Sequence, residues 1–210
     1  MLIEELGIMG IVIVILVWVY EGFHLKFLDQ VVDEGRQISR KVTHASMFTS
    51  GFLAGILMAA DIFTAGSVLA LVLGMILSKK IDHKLWFIQI FLVLACYSIA
   101  SVVLLSTITG FVIDWLELGI TFIIVLVGSI ADELFHEVVD RMKDGPLKFI
   151  LEFRLVMKFI VIFMPFFLAS TAWFHAVAWI SFDITYEITA RLYMRSHPET
   201  VVASTSFESM

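Results

Sequence analysis

Threaded as seven apolar spans with its N-terminus outside, this chain keeps all fourteen of its lysine and arginine residues in or beside the cytoplasmic segments. The outer turns then carry acidic residues and no basic ones. Random scatter would rarely produce that division. A bias of Lys and Arg toward cytoplasmic loops is the rule for membrane helices. The expected fold is therefore all-α: a polytopic transmembrane bundle of about seven spans, with a cytoplasmic C-terminus.

Composition agrees. The chain has 210 residues, of which 60% are hydrophobic, and a mean hydropathy of +0.97. Soluble domains are usually about half apolar, and several stretches here approach the roughly 20 apolar residues that cross a bilayer. The formal charge of −6 does not suggest nucleic-acid binding, which needs a basic surface. The single cysteine, Cys96, lies inside an apolar run, so there is no intramolecular disulfide and no CxxC motif. No haem, flavin or nucleotide motif is present. Glu4 and Glu5 precede the first apolar run in place of a basic signal-peptide start, which predicts an uncleaved span.

The first span is expected over residues 6–20, with Glu21 and His24 at its inner end. Residues 23–43 read as an amphipathic segment on the cytoplasmic surface, with Phe23, Phe27, Leu28, Val31 and Val32 at helical spacing. Residues 45–78 would make one helix of about 51 Å, too long for a core of about 30 Å. A break at Asp61–Gly66 divides them into two short spans. Residues 85–131 divide near Thr107–Asp114. Pro165 is expected to kink the sixth span and a turn near residues 170–172 to start the last. The alternative is one tilted span over residues 155–182, which would put Arg191 and Arg195 outside and which the charge rule disfavours. Residues 1–195 thus read as one bundle and residues 196–210 as a flexible polar tail.

Three groups of residues could carry chemistry. At the inner end of the fifth span, Glu133, His136, Glu137 and Asp140 recur at i, i+3, i+4 and i+7, with Asp132 beside them. That spacing stacks them along one helical stripe. Carboxylates beside an imidazole suit a divalent cation such as Mg, Mn or Zn. The bland reading is a solvated acidic helix end. In the last span, Asp183 and Glu187 stack on one face, with Arg191 a turn beyond. An ionisable group at that depth needs a polar interior or a cationic partner. The inner loop Lys79-Lys80-Ile81-Asp82-His83-Lys84 offers three lysines for anionic lipid headgroups or a phosphate, and Asp82 and His83 as added metal ligands. It also simply satisfies the topology rule.

Function remains open between three classes at this level. One is a divalent-metal-dependent membrane enzyme acting on a phosphate-bearing lipid, with Asp183, Glu187 and His136 as its catalytic groups. The second is a cation or proton-coupled transporter or channel using the same carboxylates. The third is a non-catalytic membrane scaffold. The expected partners are membrane lipids, including anionic headgroups of the cytoplasmic leaflet, and no nucleic acid. The expected location is a membrane, with multiple passes. The HxxxH of ceramidase-like hydrolases is absent, since His175 is followed by Trp179. The last span has no lysine to hold retinal.

Overall fold

The computed structural model describes residues 2–32, 38–78, 81, 83–108, 114–139, 142, 145, 159–160, 162–164 and 173–196. Among them all regular structure is helical: α1 (Leu2–Glu5), α2 (Gly7–Val32), α3 (Arg40–Ala60), α4 (Ile62–Leu77), α5 (Lys84–Thr107), α6 (Trp115–Val139) and α7 (Trp173–Ser196). Four helical segments are long and apolar enough to cross a membrane: Gly7–Val32, Arg40–Ala60, Lys84–Thr107 and Trp115–Asp132. The more polar α7, which carries Asp183, Glu187, Arg191 and Arg195, is not among them, and α4 has only 16 residues. At 1.5 Å per residue α4 is about 24 Å long, against about 39 Å for α2.

Helix α2 runs without a break through Val32. Residues 23–32, read from sequence as the start of a separate surface segment, are its continuation. Gly7, at φ 56°, separates it from α1. Helix α3 ends where Asp61 adopts an extended backbone, and the Asp61 side chain accepts the Thr64 N–H to start α4. An Asp cap satisfies one of the orphan donors of a new helix. His83 plays the same part for α5, its Nδ1 accepting from the Leu85 N–H at 3.2 Å. Asp114 does so for α6, accepting from the N–H groups of Leu116 and Glu117.

The polarity of the helices is turned inward. In α5 the buried residues are Gln89 and Val93, while Phe87, Phe91, Ile99 and Val102 are exposed. In water such a surface would be an aggregation hazard. In lipid it is the ordinary exterior, because tails are as apolar as the side chains they touch.

Contacts fix the direction of each pair. Trp18 packs on Trp179 and Phe182, Gly22 on Phe182, and Gln30 reaches the Thr189 carbonyl, so α2 and α7 run parallel. Gly51 meets Leu92 and Gly55 meets Cys96, so α3 and α5 run parallel. Gly66 meets Thr121 and Gly74 meets Ser129, so α4 and α6 run parallel as well. Helices α2 and α3 are antiparallel, with Glu21 beside Ser50 and Tyr20 and His24 beside Ser46. Small residues at these crossings let backbones approach closely, the usual packing device where no water drives association.

Three buried clusters result. One joins α1, α2, α3 and α7 around Val14, Trp18, Leu57 and Ala178. Another joins α4 and α6 around Phe63, Ala70 and Val125, with Met164 added. The third joins α3, α4 and α5 around Met58, Ala65 and Val93. Lys26, Arg40, Lys41, Lys84 and Arg191 all lie toward one end of the bundle, where α2 and α7 finish and α3 and α5 begin. The break at Asp61 and the start of α7 lie at the other.

Candidate functional site

A polar centre occupies the meeting of α2, α3 and α5. Glu21 is near the middle of α2, and Ser50 is near the middle of α3. The Ser50 hydroxyl donates to Glu21 Oε2 at 2.6 Å, and Gln89 Nε2 of α5 donates to Ser50 Oγ at 2.7 Å. One helical turn from Glu21, His24 is 0% exposed. Its Nδ1 lies 2.7 Å from Ser46 Oγ, its ring stacks on Tyr20 at 6.3 Å, and Gln89 lies beside it. The spacing i, i+3 on α2 and i, i+4 on α3 is what brings Glu21 with His24 and Ser46 with Ser50 onto facing stripes.

Three buried atoms of this centre, Glu21 Oε1, His24 Nε2 and Gln89 Oε1, make no hydrogen bond of ordinary geometry. A buried polar atom left unsatisfied costs about 1–3 kcal/mol. Glu21 Oε1 and Gln89 Oε1 are acceptors, while His24 Nε2, with Gln89 beside it, is donor or acceptor according to the tautomer that Ser46 selects at Nδ1. The nearest described ammonium is already taken: Lys26 pairs with Asp29 at 2.6 Å and lies over the Tyr186 ring. The arrangement can therefore hold a proton, a small cation or a polarised water, and disfavours an anion.

The residues singled out from sequence are placed as follows. Asp183 is half-buried on α7, and Glu187 lies 3.9 Å from Arg191 with both side chains largely exposed. An exposed pair of this kind contributes about 0–1 kcal/mol. Asp132 is buried, at 7% exposure, near the end of α6. Lys84 is exposed in the first turn of α5, and the Nδ1 of His83 is engaged as a helix cap. The side chains of Glu133, His136 and Glu137, and the whole of Asp140, Asp82, Lys79 and Lys80, lie outside the described residues. Among the described residues no three His, Cys, Asp or Glu side chains are grouped to hold a metal ion. Asp61, read from sequence as the break between two spans, is fully buried, with His175 of α7 beside it.

Glu21 and His24 were legible as inner-half ionisable groups. Ser46, Ser50 and Gln89 were not singled out. The available signal was Gln89, one of three glutamines in the chain and the lone amide in a long apolar run.

No family model, curated protein or solved structure matches the chain. Fold and site alone define its class: within the described residues, an all-helical protein with four helices long and apolar enough to cross a membrane, whose interior holds a carboxyl–imidazole–amide centre.

Proposed function

We propose that this is a multi-pass membrane protein of seven spans that couples to the movement of a proton or small cation through the Glu21–His24–Ser50–Gln89 centre. The observation that carries this reading is the group of buried polar atoms on Glu21, His24 and Gln89 without a hydrogen bond of ordinary geometry, set between helices whose apolar faces point outward. Ionisable groups inside membrane helices are functional by default, since their desolvation must be offset. The helix directions support the threading. Helices α2 and α7 run parallel, and α2 and α3 run antiparallel, as such a threading requires of these described helices. The basic residues mark the cytoplasmic face.

The test is reconstitution into liposomes holding a pH-sensitive dye, with an imposed gradient of protons and then of Na⁺ or K⁺. The wild type should carry flux that Glu21→Gln abolishes while helical content is kept, since Gln still accepts from Ser50. Equal flux in Glu21→Gln and wild type would remove Glu21 from the mechanism. A second reading is a divalent-metal enzyme acting on a phosphate-bearing lipid through Asp132, His136 and Asp140. The burial of Asp132 in the acidic last turns of α6 favours it.

A further inference from the structure

A second buried acid–histidine pair lies toward the opposite end of the bundle. Asp61, at 0% exposure, and His175, at 3%, come from the α3–α4 junction and from α7. His175 Nε2 is 3.4 Å from Asp61 Oδ1. Asp61 Oδ2 is occupied, accepting from the Thr64 N–H at 2.8 Å. The His175 ring is held between Phe63, at 4.2 Å, and Phe174, at 4.0 Å. On the adjoining turns, the hydroxyls of Thr64, Ser67 and Thr121 are buried and make no hydrogen bond. Gly66 brings Thr121 against α4, which closes this side.

We propose that Asp61 and His175 form a second proton-binding centre, separated from Glu21–His24 by the aromatic layer of Trp18, Trp179 and Phe182. The argument is one of charge. A buried carboxylate must be neutralised or paired. Every described lysine and arginine lies toward the far end of the bundle. Among the described side chains the other ionisable groups at this level are Glu5 of α1 and Asp114 of α6, both exposed, and Glu117 of α6, all acidic. Helix α2 presents Val14 and Trp18 here, and α3 adds no further ionisable group. Among the described side chains His175 is thus the one cation-forming partner at hand. Asp61 Oδ1 makes no hydrogen bond and lies within ion-pair reach of His175 Nε2; with His175 Nδ1 carrying its own hydrogen, one further proton on either Oδ1 or Nε2 leaves the pair neutral. When that proton leaves, a bare anion remains, and the three free hydroxyls are donors able to turn as it comes and goes.

The two centres are distinct. Trp18 and Trp179 stack at 5.1 Å. His175 precedes Trp179 by four residues, and Glu21 follows Trp18 by three, so the centres are about 10 Å apart along the bundle at 1.5 Å per residue. Two proton sites on either side of an aromatic plug form a pair that alternating access could load in turn. The inference rests on the transport reading for that role, and not for the chemistry of the pair.

The experiment is infrared difference spectroscopy of the purified full chain, titrated from acid to alkaline and read at the protonated-carboxyl band. Asp61→Asn should remove one titrating component and leave the Glu21 component, and Glu21→Gln should do the reverse. Asn preserves the helix cap, so the fold should survive. His175→Gln should move the midpoint of the Asp61 component alone, and it serves equally if Asp61→Asn does not fold. An Asp61→Asn spectrum identical to wild type, loss of both components together, or an unmoved midpoint in His175→Gln would overturn the proposal. Flux unaffected by Glu21→Gln, with the Asp61 component intact, would sink the transport reading and leave this centre standing.

Discussion

Gly22 of α2 and Phe182 of α7 meet backbone to backbone: a methyl group at Gly22 would overlap the carbonyl oxygen of Phe182. Overpacking of a tight contact costs about 1–3 kcal/mol. Gly22→Ala should therefore lower the thermal midpoint in detergent. Gly119 has open space where its Cβ would sit, so Gly119→Ala should be neutral or raise stability by up to about 1 kcal/mol through helix propensity. Equal responses at the two sites would mean that α2 and α7 are not packed this closely.

The α3–α5 crossing makes a chemical prediction. A Cβ on Gly55 would lie 2.5 Å from Cys96 Cβ and 2.7 Å from the Tyr97 nitrogen. Gly55→Val should push the helices apart and speed reaction of Cys96, the single thiol, with a membrane-permeant maleimide. A labelling rate unchanged from wild type would argue against the contact.

Gln89 is the sole side-chain donor to Ser50 among the described residues. Gln89→Leu roughly keeps the side-chain volume but removes that donor, and should destabilise the bundle by about 1–3 kcal/mol. Measurement is by denaturant or thermal unfolding followed by circular dichroism. A neutral result would indicate that water replaces the amide.

Asp114 and Ser39 are both exposed and stand at opposite ends of the bundle. In a Cys96→Ala background, Asp114→Cys should react with an impermeant maleimide from outside the cell. Ser39→Cys should react only after the membrane is opened. Labelling of both from one side contradicts the seven-span threading.

If the acidic stripe of α6 binds a divalent cation, Mg²⁺, Mn²⁺ or Zn²⁺ should raise the thermal midpoint at neutral pH, and His136→Ala should abolish the rise. Ligand protonation opposes metal binding, so the effect should shrink as pH falls through the histidine range. No stabilisation by any of the three ions would leave the Glu21 centre as the better candidate.

The lengths of the helices were largely legible in the sequence, because apolar runs and their breaks record the solvent each residue meets. Asp61 interrupts residues 45–78 where a break was required, and Thr107–Asp114 interrupts residues 85–131. What sequence could not record is which helices touch. Ser50 and Gln89 carry no periodic signal, and their pairing with Glu21 depends on α3 lying between α2 and α5. Asp61 reads as a water-exposed turn until α7, far along the chain, covers it with His175. The same limit hid the extension of α2: its polar last turns resemble a surface segment, yet they face Tyr186 and Thr189 of α7.

The pairing of the first long helix with the last has a further consequence, for synthesis. While the ribosome is still making α3 to α6, the groove that Gly22 presents stands empty, and the indole of Trp18 has no partner across it. Lipid, or a chaperone of the insertion machinery, must occupy that face until α7 emerges. A chain stalled or truncated before Trp173 would keep an open flank, so quality control has a simple mark by which to tell finished molecules from unfinished ones.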